Sequence, residues 1–287
     1  MNQNSTSQRS LVLAITVLDI ILLVVFVAMY AWVVPKRQAD AYSSGITAPF
    51  NGQSAAVAEA WRAFSTKDVF VKDNTDPTAD AKDFADTNTL ILTAHEKTND
   101  LQRQNNSLKL LPGATLLGAG KTAQQTQRKV KTYIDQTNTF LTTYQTMISY
   151  MRDFETATVK DVPALQAALN AMNAAKDVPH IQAATQSGIA PTGAYIADLQ
   201  KLKPSADFKQ FHDTILQDMT QLQDGLNNIQ GAITNKDSLS LAKGVLQMLN
   251  AGSSLALAES TNPDTAILKS STIQKQFDAL KSAHPLQ

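Results

Sequence analysis

From Leu116 to Thr158 apolar and small residues recur at alternating intervals of three and four: Leu116, Ala119, Ala123, Thr126, Val130, Tyr133, Thr137, Phe140, Tyr144, Met147, Met151, Phe154 and Thr158. That spacing keeps one stripe on one face of an α-helix. Ile134, Leu141 and Ile148 recur every seven residues beside it. The widened stripe suits a helix in a bundle better than one in a two-stranded coiled coil. A second helix is predicted over Ser205–Thr234, with Phe208, Phe211, Ile215, Met219, Leu222, Leu226, Ile229 and Ile233 on one side and Gln217, Asp218, Gln221, Asp224 and Asn228 away from it.

The remaining helices announce themselves by their starts. Asp76-Pro77 and Asn262-Pro263 each place a capping side chain before a proline, whose missing N–H costs nothing in a first helical turn. The first opens a helix to about Leu110 with Phe84, Ile91, Ala94, Leu101 and Leu108 inward; Pro112-Gly113 then turns the chain into the long helix. The second opens a helix over Asp264–Ala283 with Ile267, Ile273, Phe277 and Leu280 inward. Ser238–Ser260 carries Leu239, Ala242, Leu246, Leu249 and Ala256 on its apolar face, after a turn at Asn235–Asp237. Val162–Ala175 reads as a short separate helix, Val178–Leu202 as a helix kinked or broken at Gly188, Pro191 and Gly193, and Ala55–Phe64 as a short helix with Val57, Trp61 and Phe64 inward. The only strand-like run, Val69-Phe70-Val71, is too short to found a sheet.

One stretch has no polar face. Leu11 to Val34 is 24 residues with a single charge, Asp19. At a rise of ~1.5 Å per residue it covers ~36 Å, enough for a hydrocarbon core of ~30 Å with some tilt. Tyr30 and Trp32 stand near its end, where interfacial aromatics belong, and Pro35, Lys36 and Arg37 follow. Ala39-Asp40-Ala41 fits a signal-peptide cleavage site, but the apolar run exceeds the ~7–15 residues of such a peptide, so an uncleaved anchor is the expectation. Asp19 admits two readings, a contact with a partner helix in the membrane or tolerance of a carboxyl close to one interface; the second is preferred on sequence alone.

The expected architecture is therefore all-α: a tail at 1–10, a transmembrane anchor at 11–34, a Ser/Ala/Gly-rich linker with Pro49 at 35–54, and an elongated antiparallel helical bundle at 55–287. In layout this resembles membrane-tethered helical domains of bacterial surfaces and sensors, although no motif singles out a family.

Charge and composition narrow the function. Lys and Arg number 25, as do Asp and Glu, and the net charge is zero. Nucleic-acid binders usually carry a basic excess, so that class is not expected. There is no cysteine, which removes disulfides, thiolate metal sites and a thiol nucleophile. From Gln38 onward the charge is −2, and in the whole chain Asn, Gln, Ser and Thr together number 88, so the surface is polar mainly through uncharged groups. Arg9 on one side of the anchor and Lys36 with Arg37 on the other nearly balance, so the positive-inside rule does not orient it. The missing cysteines and the charge-poor composition favour a body outside the cytoplasm.

Motifs for chemistry fail on inspection. Gly113 to Thr122 resembles a phosphate loop, but Thr115 stands where GxxxxGK[ST] needs glycine. His95-Glu96 begins HExxH, but Asn99 replaces the second ligand. The four glutamates (Glu59, Glu96, Glu155 and Glu259) form no ExxH pair, which excludes a ferritin-like di-iron site. His212 and Asp213 are neighbours on a helix and point in different directions, and no GxSxG elbow exists. Lys121, Arg128, Lys129 and Lys131 read as a solvated helix face. No catalytic, cofactor or metal residue is expected. The one candidate ligand pocket is the column Tyr133, Phe140, Tyr144, Met147 and Met151, which at helical spacing also reads as core; the kink at Gly188–Pro191 would open it. The expected function is a structural or protein-interaction role at the membrane, with the lipid bilayer and a protein or envelope polymer as partners. The alternatives are a ligand-binding or sensory module and, more remotely, a hydrolase.

Overall fold

The computed structural model describes residues 4–65, 77–109, 118–260, 271–283 and 285–286. Among them there is no strand. The helices are α1 (Asn4–Ala28), a π-helical turn (Met29–Val33), α2 (Val34–Ser65), α3 (Pro77–Asn106), α4 (Gly118–Ala174), α5 (Val178–Leu199), α6 (Lys209–Asn235), α7 (Ser238–Ser260) and α8 (Thr272–Ser282). The protein is all-α, with an N-terminal helix long and apolar enough to cross a membrane and helices packed as a bundle. The Val69–Val71 run, the loop at Pro112-Gly113, the Asn262-Pro263 start and the side chains of Phe64, Leu249 and Ala256 lie outside the described residues.

The chain falls into two compact units. The first comprises Met1–Ala58, Thr93–Asn138 and Leu280–Gln287; the second comprises Glu59–Leu92 and Thr139–Ala279. The boundaries lie inside α2, α3, α4 and α8.

In the first unit the expected linker at 35–54 is not a linker. It is the opening of α2, whose Ala39, Tyr42, Ile46, Phe50, Gln53 and Val57 are buried at three- and four-residue intervals. Pro49 sits inside this helix. A proline removes one backbone hydrogen bond, but the burial of a whole stripe outweighs that loss. Phe50 packs on Tyr133 with ring centroids 5.2 Å apart. The Tyr42 hydroxyl donates to Asn105 Oδ1 at 2.5 Å, Asn105 Nδ2 donates to the Gln127 carbonyl at 3.2 Å, and Gln127 Nε2 donates back to the Asn105 carbonyl at 2.8 Å. Two side chains thus tie α2 and α4 to the end of α3, where carbonyls lack helical partners.

The second unit is built on aromatic rings. α4 runs on through Pro163 to Ala174, so the separate helix expected at Val162–Ala175 is its continuation. α5 is one helix with Pro191 inside it, started by Asp177, whose carboxylate accepts from the His180 N–H at 3.0 Å. α6 packs against both α5 and α7. Having two partners buries more than one face, which is why Asp218, expected on the far side, is buried. Lys236 ends α6 in the left-handed region at φ 56°, and Asp237 then caps α7 through the N–H groups of Leu239 and Ser240.

α7 does not use the face predicted for it. Leu239 is 80% exposed and Leu246 61%, and Ala242 is exposed as well. Instead Gly244 meets Gly225 of α6: a Cβ built on Gly244 would stand 2.9 Å from the Gly225 carbonyl oxygen, and one on Gly225 would stand 3.0 Å from that of Gly244. Only glycine permits this approach. The close backbone contact, with Ile229 and Met248 beside it, decides the orientation over the leucine stripe. α8 is capped from a distance: the Asp207 carboxylate accepts from the Thr272 N–H at 3.1 Å and from its hydroxyl at 3.0 Å.

Candidate functional site

The periodicity of α4 that defines its core also places the candidate column. Phe140, Tyr144, Met147 and Met151 are buried together in the second unit, while Tyr133 is buried in the first beside Phe50. Phe140 and Tyr144 stack at 5.7 Å, and Trp61 of α2 meets both, at 6.0 and 5.6 Å. Phe277 of α8 stacks on Trp61 at 4.9 Å and reaches Phe140 at 5.7 Å. These spacings lie in the range where aromatic pairs attract. The Tyr144 hydroxyl donates to the Ala60 carbonyl at 2.9 Å, and burial raises its pKa. The column is a packed interior whose polar tip has a partner.

On a neighbouring face of the same stretch, α4 borders open space. Thr142, Thr146, Ser149, Tyr150 and Asp153 line one wall of a groove, and Lys201 to Lys203, after α5, line the other; its volume is about 440 Å³. That lies within the range of small-ligand sites. The floor is held from behind. The Tyr150 hydroxyl and His212 Nδ1 stand 3.3 Å apart, and Phe208 packs on the Tyr150 ring at 5.5 Å. Burial raises the Tyr150 pKa, with the charges of Tyr195 and Asp213 adding to it. Burial lowers the pKa of His212, opposed by Asp213 and assisted by Lys209. At neutral pH the pair is thus an uncharged hydrogen-bonded couple. The groove offers hydroxyls, a carboxylate and ammonium groups, a lining suited to a small polar ligand. A wider depression of about 660 Å³ lies where α4 turns into α5, lined mainly by alanines with Asp177, His180 and Ser187.

Beside the groove Asp198 receives Lys160 at 2.5 Å and Lys201 at 2.6 Å, and these hydrogen bonds hold its pKa near 2. Asp161 is buried, 3.8 Å from Lys160 through one oxygen. His95 is half-buried on α3 and its pKa is lowered by burial. Lys121, Arg128, Lys129 and Lys131 are exposed, the last paired with Asp135 at 2.9 Å. Among the described residues no group of three or more His, Asp or Glu is placed to hold a metal ion.

Sequence reasoning missed the Tyr150–His212 couple and the groove. The signal was present as polar residues at 142, 146, 149 and 153, a second helical row one step round from the apolar stripe. What could not be read is that Lys201–Lys203 would face them.

The other surface with a chemical character is α1 and the π turn. From Val17 to Val33 the apolar side chains are exposed, Phe26 by 69% and Trp32 by 73%. Comparison with family models, with curated proteins and with solved structures returns no match for this chain.

Proposed function

We propose that this is a single-pass, membrane-anchored helical-bundle protein whose body lies outside the cytoplasm and acts through contacts with a protein or an envelope polymer rather than by catalysis. The observation that carries the reading is the continuity of α1, the π turn and α2. A long collar of exposed apolar side chains, of the kind that marks a membrane surface, leads directly into a helix whose next turns are buried in the first unit. A helix with that join transmits position from the bilayer to the bundle, which a flexible tether would not. The composition supports the extracytoplasmic placement. Alkaline extraction of membranes should leave the chain in the pellet, and protease added to cells with a permeabilised outer layer should digest the bundle. Release into the supernatant, or protection of the bundle until the inner membrane is opened, would refute the respective half of the proposal.

A second reading is favoured by the groove at Tyr150: a ligand-binding or sensory module of the envelope that takes a small polar molecule. A thermal-shift screen of sugars, polyols and amino acids tests it. A hit should be lost in Lys203→Ala and kept in Lys129→Ala; a screen in which no compound raises the unfolding temperature counts against it.

A further inference from the structure

All three polar side chains between Leu11 and Tyr30 fall on one stripe of α1 and the turn after it. The positions are Thr16, Asp19, Leu23, Phe26 and Tyr30, spaced three, four, three and four. This is the spacing by which one helix packs along another. Among the described residues the middle of the stripe is uncovered: Leu23 is 63% and Phe26 69% exposed, and Asp19 is exposed without a hydrogen-bond or ion-pair partner. Thr16 stands one turn before Asp19 on the same face, and Phe26 stacks on Tyr30 at 6.4 Å.

The π turn gives the stripe a direction. The Val34 N–H donates to the Met29 carbonyl, five residues back. Tyr30 and Pro35 are also five apart, about one π turn, so the stripe continues through Pro35 to Ala39, Tyr42, Ile46 and Phe50, all buried in the first unit. With a plain α-helical register it would run off that face. The side of the membrane helix that carries Asp19 is therefore the side by which α2 packs on the ends of α3 and α4.

We propose that this stripe is a docking face for one transmembrane helix of a different protein, and that the partner helix carries a lysine or arginine at the depth of Asp19. The proposal rests on the reading of α1 as a membrane span. A carboxyl group in hydrocarbon demands a polar partner, and charge complementarity identifies it. A second copy of this chain does not fit. Parallel copies would set carboxyl against carboxyl, and the nearest basic groups, Arg9 and Lys36, lie ten and seventeen residues away, ~15 and ~25 Å along the helix axis.

The test is photo-crosslinking in native membranes with a benzophenone amino acid at position 22, beside the stripe. Alkaline extraction of the same membranes comes first. Release of the chain there overturns the anchor reading and this proposal together; failures at later steps overturn the proposal alone. The expected result is an adduct with a protein whose cross-linked spanning segment contains a lysine or arginine, identified by mass spectrometry. Its yield should fall roughly tenfold in Asp19→Leu, the scale of one lost intramembrane polar pairing, and be retained in Asp19→Glu. Exchanging the charges, Asp19→Lys here and the basic residue to aspartate in the partner, should restore it. An adduct only with another copy, a partner segment without a basic residue, a yield unchanged by Asp19→Leu, or no adduct from membrane-integrated chain overturns the assignment.

Discussion

The two units differ in what specifies their interiors. In the first, buried polar groups meet across helices: Tyr42 with Asn105, Asn105 with Gln127, and Gln53 Nε2 with Thr137 Oγ1 at 3.4 Å. In the second, rings do that work: Trp61, Phe140, Tyr144 and Phe277 in one cluster, and Tyr150, Phe154, Phe208, Phe211 and His212 in another. The comparison shows how one heptad pattern serves two designs. The stripe of α4 runs through both units, yet Thr126 and Thr137 interrupt it in the first, while in the second it runs through Phe140, Tyr144, Met147, Met151 and Phe154 before the next polar position, Thr158. Hydrogen bonds fix register because a slip leaves donors unsatisfied. Rings provide buried area and tolerate small shifts.

The largest expected effect tests the ring design. Phe140→Ala should destabilise the second unit by ~3–5 kcal/mol, the cost of a large buried aromatic, read from urea unfolding followed by Trp61 fluorescence. Asn105→Leu should cost the first unit ~1–3 kcal/mol, since it strands the Tyr42 hydroxyl. The double change Tyr42→Phe with Asn105→Leu should recover part of that loss. If the double variant is no better than the single one, the polar latch is not what holds α2 to α3. The Tyr42 hydroxyl, whose pKa burial pushes up to about 12, should also resist ionisation in an alkaline absorbance titration until the unit unfolds.

Gly244→Ala probes a contact that belongs to neither design. The added methyl would meet Ile229 Cγ1 at 2.7 Å and the Gly225 carbonyl at 2.9 Å, and overpacking of this kind costs ~1–3 kcal/mol. Hydrogen exchange should report it first in α7. Asp207→Ala removes the remote cap of α8 and should cost ~1 kcal/mol, seen as faster exchange of the Thr272 amide. The smallest effect is a pH dependence. His212 has its folded-state pKa below the usual ~6.5 of histidine, so the unfolded chain takes up its proton first as pH falls. Stability should therefore drop as pH passes below that ordinary value and continue to drop until the folded pKa is reached. His212→Gln should flatten this slope in the second unit, while His95, lowered in the same direction, keeps its share in the first.

Much of this fold was legible because it is periodic. The stripe of α4, the inward Phe84, Ile91, Ala94 and Leu101 of α3 and the Asn235–Asp237 turn follow from three- and four-residue spacing and from capping chemistry, whereas Leu108, expected inward on the same helix, lies half-buried beyond its end at Asn106. The misreadings have physical causes. Residues 35–54 look like a linker because Ser, Ala, Gly and a proline dominate them; that composition masks the repeat of Ala39, Tyr42, Ile46 and Phe50. The leucines of α7 point outward because hydrophobicity predicts burial only when no better packing face competes, and the Gly225–Gly244 pair supplies one. The groove was not legible at all, since nothing in a single sequence says that Lys203 stands opposite Ser149. The candidate column was legible as a row of side chains, and its closure by Trp61 and Phe277 was not, because those residues come from distant parts of the chain.

The make-up of the first unit has a consequence for the order of events during synthesis. It draws on residues 1–58, 93–138 and 280–287, whereas all of the second unit has been made by residue 279. The unit that carries the long apolar helix thus opens before the second unit and closes after it, because Leu280 and Pro285 are among its buried residues. Until residues 105 and 133 have been made, Tyr42 and Phe50 stand on a helix whose partners Asn105 and Tyr133 are not yet in place. Exposed apolar surface of this sort is prone to aggregate during folding, so the first unit, whose segments are spread from α2 to α8, stays open to that hazard for longer than the second.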